Sequence, residues 1–250
     1  MTGTENTTQT MSSYALTALI GAAIIVVLLL LPRLLGRRSR SKGGWSVLVM
    51  GAAGAGKTTL FLRLRDGKLR NTVTSMQPNE GKVEVGDKKR VTVIDLPGHA
   101  RLEATYFERE VVNAKGILLV VDSVNFNATK EEFARHMYRL LTSPVVRGRG
   151  VPILVACAKS DSSKSHTTEF IRKRTEKMID ELYQADVGDS MRGDDNAREH
   201  HILSAAGGDF KFEDLAVKRR FHRPLKVSFE HVSSVKGDGI DKVVEFIAAC

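Results

Sequence analysis

The sequence has few of the residues that hold small secreted proteins together. It contains two cysteines, and neither position suggests a bridge, because Cys157 lies in an apolar run and Cys250 is the last residue. Secreted scaffolds that depend on disulfides carry many more cysteines for their length. A disulfide-stabilised extracellular fold is therefore excluded, and the two thiols are compatible with a reducing compartment.

Charge is missing from residues 6–32, and the stretch from Ala15 to Leu31 is almost wholly apolar. A helix needs roughly 20 apolar residues to cross a bilayer. Basic residues follow this stretch and no basic region precedes it, which favours an uncleaved anchor over a signal peptide. By the positive-inside rule the basic side stays cytosolic. The sequence thus predicts a short lumenal tail at 1–13, an anchor helix at 14–35, a basic linker at 36–44 and a cytosolic domain at 45–250.

The formal net charge of the chain is +9, but the excess is unevenly distributed. Five basic residues lie within ten positions of each other, at Arg33, Arg37, Arg38, Arg40 and Lys42. A cluster beside a membrane anchor suits anionic lipid headgroups. Direct, sequence-specific binding of nucleic acid is therefore not predicted, although contact with a ribosome or translocon is consistent with a basic domain.

A phosphate-binding loop follows the first strand-like run of the domain. The sequence "GAAGAGKT" has the spacing G-x-x-x-x-G-K-T, between an apolar run and a segment of helical periodicity. Small residues let the backbone curve around phosphate oxygens, the lysine supplies a point charge, and the threonine hydroxyl suits Mg²⁺. The predicted nucleotide-binding residues are Gly51, Ala52, Ala53, Gly54, Ala55, Gly56, Lys57, Thr58 and Thr59, with Thr58 also a metal ligand.

Strand-like and helix-like segments alternate through the rest of the domain. Strands are predicted at 82–85, 91–95, 116–123, 151–161 and 225–231, and helices at 58–66, 102–114, 130–142, 166–184 and 240–249. Such alternation predicts an α/β fold with a mostly parallel, doubly wound sheet and helices on both faces. Residues 186–209 show little periodicity and are predicted to be a mobile insertion.

A second nucleotide signal is "DLPG", which ends the strand predicted at 91–95. The carboxylate of Asp95 can reach Mg²⁺, and the backbone of Gly98 can meet the outermost phosphate. This tetrapeptide is common by itself and also occurs in plain turns. About 40 residues after a phosphate-binding loop, it favours a metal and γ-phosphate site.

A third signal is "AKSD" at residues 158–161. Guanine-binding proteins of the Ras-like superfamily carry Asn/Thr-Lys-x-Asp after a late strand, and here Lys159 and Asp161 match while Ala158 does not. The resemblance implies that Asp161 reads the guanine edge and that Lys159 covers the ring. A carboxylate there would repel N1 of adenine, which argues against an ATP-dependent protein. The missing hydrogen bond at Ala158 would cost about 1–2 kcal/mol.

A fourth signal is "HVSSVKG", which resembles the Ser-Ala-Lys loop that touches guanine. The resemblance implies contacts from Ser234 and Val235, and it leaves the alignment of this loop open by one residue.

The order and spacing of these motifs resemble the Arf/Sar branch of the small GTPases. "IDLPGHARLEATYFEREVVNAKGILLVVDS", "TVTSMQPN" and the N-terminal anchor are similar, more particularly, to the beta subunit of the signal recognition particle receptor. The resemblance implies a Ras-like P-loop GTPase fold that binds GTP and Mg²⁺. It also implies Ser75 as the switch ligand of the metal, with Thr74 as second choice, and His99 as the catalytic residue that orients water.

The resemblance further implies that the GTP-bound form recruits the receptor's alpha subunit to the endoplasmic reticulum membrane, for co-translational targeting. Phosphoryl transfer in this class depends on positioning and on charge neutralisation, often by an arginine from a partner, so slow intrinsic hydrolysis is expected. An alternative stays open, in which a nucleotide-stabilised membrane scaffold hardly turns over.

Overall fold

The computed structural model describes residues 45–86, 89–190, 210–216 and 223–250. The predicted tail, anchor and linker at 1–44 lie outside the described residues, as does most of the predicted insertion. Within the part of the chain that the structure describes, no helix has the length and hydropathy needed to cross a membrane. From Trp45 onward the chain packs as one unit.

The domain is a six-stranded sheet with helices on both sides. In chain order the strands are β1 (Ser46–Met50), β2 (Asn79–Val85), β3 (Lys89–Asp95), β4 (Ala114–Asp122), β5 (Ile153–Ala158) and β6 (Val227–His231). The helices are α1 (Lys57–Asp66), α2 (Ala100–Glu110), α3 (Phe126–Thr142), α4 (Pro144–Arg149), α5 (Thr168–Ser190) and α6 (Ile240–Ala249). Short 3₁₀ turns occupy Val111–Asn113 and Phe212–Ala216.

The spatial strand order is β2-β3-β1-β4-β5-β6. β2 pairs antiparallel with β3, and every other pair is parallel. The carboxyl ends of five strands therefore meet at one edge of the sheet, which is where doubly wound folds bind ligands. The predicted α/β class is confirmed in this form, as a mixed sheet.

Side chains alternate between two cores along the central strand. Leu48 and Met50 pack on the side that carries α3 and α5, and Val47 and Val49 pack with Leu60 and Phe61 of α1 and with α6 on the other. All five residues of β1 are buried. A strand that is covered on both faces has a continuous apolar sequence, which is why the sequence predicts β1, β4 and β5.

Two elements differ most from the sequence expectation, and the bounds of others shift by a few residues: α2 ends at Glu110 and not at Ala114, and β5 ends at Ala158 and not at Asp161. α4 was not predicted, because six residues give too little periodicity; it begins at Pro144 after Ser143, a local start signal. α5 continues to Ser190, so the first five residues of the expected insertion are helical. Asp186 there accepts a hydrogen bond of 2.6 Å from the Tyr138 hydroxyl of α3, which ties this turn of α5 to the core. Residues 191–209 lie outside the described residues.

Candidate functional site

The loop between β1 and α1 has the backbone that its glycines predict. Gly51, Gly54 and Gly56 have φ angles of 133°, 76° and 98°, a region that side chains with a Cβ rarely adopt. A Cβ on Gly51 would also collide with the Val120 carbonyl of β4. The loop therefore wraps closely over the edge of the sheet and ends at the N-terminus of α1, where anions are stabilised.

Lys57 lies inside this loop, with 6% of its surface exposed. Its Nζ donates a hydrogen bond of 2.8 Å to the carbonyl of Ala52. Burial lowers the pKa of Lys57, while the nearby charges of Asp95 and Glu103 act in the opposite direction. A partly desolvated ammonium within this loop is suited to bind a polyanion.

The three predicted metal ligands come together next to this loop. Thr58 Oγ1 donates to Asp95 Oδ2 over 2.8 Å and lies 3.3 Å from Ser75 Oγ. The alternative ligand, Thr74, is exposed to solvent. Asn79, which the sequence reasoning missed, donates to both Ser75 Oγ and Asp95 Oδ2 at 3.0 Å. The feature that could have indicated this role is the position of Asn79 at the start of β2, where the hairpin register places it opposite Asp95.

This group of oxygens fits a hard divalent cation. Asp95 is fully buried, and its Oδ1 has no hydrogen-bond partner in the structure. Burial raises the pKa of Asp95 despite the hydrogen bonds from Asn79 and Thr58, so the carboxylate gains from a compensating cation. Two hydroxyls and one carboxylate are ligands that Mg²⁺ accepts.

The segment after Asp95 lies directly against the phosphate-binding loop. A Cβ on Gly98 would lie 2.5 Å from Lys57 Nζ and 2.7 Å from the Ala53 Cα, so only glycine fits there. His99 follows as the residue before α2 and is exposed, with no side-chain hydrogen bond to the helix end. The structure thus places His99 at the rim of the site.

Replacing Gly98 with alanine should therefore force this segment away from the loop. Overpacking of this kind costs about 1–3 kcal/mol, and if the whole cost falls on the nucleotide-bound form, the loss of GTP affinity is about 5- to 150-fold. Equilibrium titration with a fluorescent GTP analogue measures the effect. Gly148→Ala is the matched control, because a Cβ there has no atom within 4 Å. Equal affinity of the two variants would show that Gly98 does not approach the nucleotide site closely.

A second pocket, of 440 Å³, lies beside the loop. Six predicted nucleotide-binding residues line it, namely Gly56, Thr59, Lys159, Asp161, Ser234 and Val235. Its volume is within the range of small-ligand sites. A neighbouring pocket of 310 Å³, lined by Ala52 to Ala55 among others, shares the Lys159 wall. The pocket that contains the predicted base-binding residues is thus adjacent to the phosphate-binding loop, which contributes Gly56 to its wall.

Lys159 and Asp161 are held by residues that the sequence reasoning did not name. Lys159 Nζ donates to Asp122 Oδ2 at 2.6 Å and to the Gly54 carbonyl at 3.1 Å. Burial acts to raise the pKa of Asp122, but the hydrogen bonds from Lys159 and Asn125 outweigh it and lower the pKa. Asp161 Oδ1 accepts a 2.7 Å bond from Ser233, so Ser233 supports the carboxylate while Ser234 and Val235 face the pocket.

Ala158 leaves the wall of this pocket without the expected amide side chain. It is buried at the end of β5, and its carbonyl accepts hydrogen bonds from both the amide and the hydroxyl of Ser123. The contact between Lys159 and Gly54 braces the loop from the same strand end. Lys159 therefore connects this strand end to the phosphate-binding loop, although residue 158 has no side-chain amide to do so.

A buried carboxylate connects the phosphate-binding loop with two helices. Glu103 of α2 is fully buried; its Oε2 accepts the Gly51 amide at 3.1 Å, and its Oε1 accepts from Arg139 of α3 and lies 3.1 Å from His136 Nε2. Burial raises the pKa of Glu103, and the Gly51 amide and Arg139 oppose the rise. Sequence alone gave no signal for this role, because a glutamate on an amphipathic helix usually faces solvent.

The stability of this cluster should depend on pH through His136. Burial, followed by the charge of Arg139, lowers the pKa of His136 from 6.5 to about 4. Between these values the unfolded chain binds a proton that the folded chain does not, so stability falls as the pH falls through this window. From pH 7 to 4.5 the loss attributable to His136 should be about 2 kcal/mol. The free energy of unfolding in urea, measured for the wild type and for His136→Gln at both pH values, isolates the contribution of His136.

The glutamine in that variant retains an N–H donor for Glu103 without the titration. His231→Gln, at an exposed position, is the control and should leave the pH dependence as in the wild type. An identical pH dependence in His136→Gln would mean that His136 is not held neutral by burial.

A mixed sheet of this order, a phosphate-binding loop before α1 and a threonine–aspartate pair at its side define a small GTPase of Ras-like fold. A family model described as the signal recognition particle receptor beta subunit matches residues 43–218. The chain belongs to that family. The human signal recognition particle receptor subunit beta is 31% identical over 219 residues, covering 87% of this chain and 78% of that protein.

Solved structures agree with this assignment. The chain superposes on "The Structure of the Mammalian SRP Receptor" with a TM-score of 0.68 and 28% identity, covering 82% of this chain and 98% of that one. It also matches the "Signal recognition particle receptor SRb-GTP/SRX complex from Chaetomium thermophilum", with a TM-score of 0.62, 20% identity and coverage of 82% and 97%. The second likeness shows the shared fold.

Proposed function

We propose that this chain binds GTP with Mg²⁺ and, in the GTP-bound form, recruits the alpha subunit of the signal recognition particle receptor to the endoplasmic reticulum membrane. Residues 14–35 anchor it there with the GTPase domain in the cytosol, so that it serves co-translational protein targeting. The observation that carries the proposal is the convergence of Lys57, Thr58, Ser75 and Asp95 around one loop.

Each residue has a distinct role in this proposal. The residues from Gly51 to Thr59 hold the phosphates, and Thr58, Ser75 and Asp95 hold Mg²⁺, which would neutralise phosphate charge. Gly98 lets its backbone reach the outermost phosphate. Lys159, Asp161, Ser234 and Val235 hold the guanine ring. The chain hydrolyses GTP slowly without a partner, because positioning by these groups supplies only part of the rate.

The relatives support the choice of partner. The Chaetomium thermophilum structure is titled as a complex of the GTP-bound subunit with SRX, and the curated relative from human is a subunit of the signal recognition particle receptor. A chain that shares this fold and belongs to this family is expected to assemble in the same way. Contact with a ribosome or translocon would follow through that receptor.

The test is to identify the nucleotide that copurifies with the chain and to measure capture of the alpha subunit with GTP, GDP or neither. Capture that requires GTP supports the proposal. Equal capture with both nucleotides, together with stoichiometric GTP that is not hydrolysed, indicates the alternative of a nucleotide-stabilised scaffold. A chain that binds neither nucleotide contradicts both.

His99 is proposed to orient the attacking water. Its exposed position beside Gly98 predicts that His99→Ala lowers single-turnover hydrolysis by about 100-fold and leaves GTP affinity within about twofold. His231→Ala, at an exposed position on β6, is the control. Unchanged hydrolysis in His99→Ala would reject the role.

A further inference from the structure

The end of the sheet opposite the nucleotide site carries a cluster of basic residues around one tryptophan. Because five strands run in the same direction, their first residues meet at this end. We call it the basal face and define it by six residues that lie at or near the starts of strands or at the end of α4: Trp45, Lys89, Lys115, Arg149, Arg223 and Lys226. Ile153 at the start of β5 donates to the Lys226 carbonyl, and Gly150 abuts Arg223, so these residues share one end of the domain.

Trp45 is the centre of the basal face and the only tryptophan of the chain. Its side chain is 53% exposed although it is the largest apolar residue near this end. Lys115 Nζ lies 5.1 Å and Arg149 Cζ 5.0 Å from the ring centroid. Arg149 also donates over 2.6 Å to the carbonyl of Val112, whose side chain is 58% exposed. The exposed indole is thus flanked by two cations, one of which also binds the backbone carbonyl of an exposed valine.

Two acidic side chains at this end of the sheet are already paired, whereas Glu230, which lines a pocket together with Lys226, has no partner among the described ion pairs. Glu84, near the end of β2, binds Arg90 at 2.7 Å, and Glu110, at the end of α2, binds Arg109 at 2.8 Å. The cations of Lys89, Lys115 and Arg149 have no such carboxylate among the described ion pairs. The basal face is therefore net positive, and it faces away from the acidic metal site.

This combination is typical of protein surfaces that contact lipid headgroups. Tryptophan prefers the boundary between hydrocarbon and water, and lysine and arginine gain from the negative potential of anionic lipid. A nucleic-acid surface would also be basic, but it gives no reason for an exposed valine beside an exposed indole. The chain also enters the domain at this end, after the basic residues of the linker.

We propose that the basal face rests on anionic phospholipid headgroups of the membrane that anchors the chain. The inference depends on the anchor at 14–35 in the proposed function. The nine residues of the linker reach at most about 30 Å, so the first residue of the domain remains close to the bilayer. Contact at the basal face turns the nucleotide site away from the membrane, where a soluble partner has access to it.

The single tryptophan makes this testable with the full chain. The chain is inserted into vesicles of phosphatidylcholine alone, or with about one phosphatidylserine in four lipids, and Trp45 fluorescence is quenched with brominated acyl chains. Quenching should be about twofold greater with phosphatidylserine, and the difference should vanish at about 1 M salt, where charges are screened within a few ångströms. Flotation of the vesicles reports insertion separately.

Lys115→Glu with Lys226→Glu should remove most of the dependence on phosphatidylserine, because both side chains are exposed and the two changes lower the formal charge of the face from +5 to +1. Lys226→Glu alone is the second variant, which leaves the environment of Trp45 intact and should reduce the dependence. Lys173→Glu, an exposed change on α5, is the matched control and should behave as the wild type. GTP affinity should be the same in all variants, since the nucleotide site lies at the other end.

The outcomes separate this inference from the proposed function. A chain that floats with the vesicles but shows equal quenching in both lipids overturns the contact and leaves the anchor in place. A chain that does not float contradicts the anchor, and the contact with it. If poly(A) RNA, and not phosphatidylserine, changes Trp45 fluorescence in a salt-dependent way, the basal face binds nucleic acid and the lipid contact is wrong.

Discussion

Lys57→Ala should lower GTP affinity by about 100- to 1,000-fold while the fold is retained. Hydrogen bonds to charged groups contribute about 1.5–3 kcal/mol each, and the lysine is expected to contact more than one phosphate oxygen. Lys57 as a whole is 6% exposed and its ammonium donates to the Ala52 carbonyl, so the charge already lies within the loop. Alanine retains the helix start but offers no charge.

The nucleotide-free variant should unfold with nearly the same free energy as the wild type. Burial already lowers the pKa of Lys57, which shows that the charge is costly in the absence of an anion. GTP should raise the Tm of the wild type but not that of Lys57→Ala, because a ligand stabilises only a folded form that binds it. Lys82→Ala, on the partly exposed strand β2, is the control and should keep the full rise. GTP affinity of Lys57→Ala within about tenfold of the wild type would contradict the phosphate-binding assignment.

Most helices and strands can be predicted from the sequence because the patterns that specify them are local. α6 spans Ile240–Ala249 as predicted, since Gly239 precedes an amphipathic run. The buried strands β4 and β5 are continuous apolar stretches that end in polar residues, and the carboxyl ends of parallel strands meet at one edge. Thr58 and Asp95 are predicted to bind one metal ion from two separate motifs, and their hydroxyl and carboxylate lie 2.8 Å apart in the fold.

Contacts that depend on three-dimensional packing cannot be predicted from the sequence in the same way. Glu103 resembles any surface glutamate until α2 is packed against Gly51 and Arg139, which come from distant parts of the chain. Asn79 and Ser233 are polar residues in polar loops, and only the hairpin register and the approach of the β6 loop show what they contact. The choice between Thr74 and Ser75 was likewise open, because switch loops have no periodicity that sets which hydroxyl points inward.

Asp161→Asn should exchange the preferred base from guanine to xanthine. Xanthine carries an oxygen where guanine carries its exocyclic amine, so a donor in place of an acceptor reverses the match. The amide keeps an oxygen for the Ser233 hydroxyl, which now donates to Asp161 over 2.7 Å, so the supporting loop should stay in position. Affinity for GTP should fall by about 100-fold, since a charged hydrogen-bond partner is replaced by a mismatched donor.

Affinity for xanthosine triphosphate should rise in the same variant, and this gain distinguishes altered base reading from simple damage to the pocket. Competition between GTP and xanthosine triphosphate for one fluorescent analogue measures both changes in one experiment. Asp238→Asn is the matched control, because its exposed carboxylate lies in the same loop region as Ser233 but does not line the pocket. If Asp161→Asn keeps its preference for GTP, the residue does not read the base, and selectivity must come from backbone contacts at Ser234 and Val235. Such contacts would also explain how the chain does without an amide at Ala158, since backbone groups can hold the ring edge where that side chain is missing.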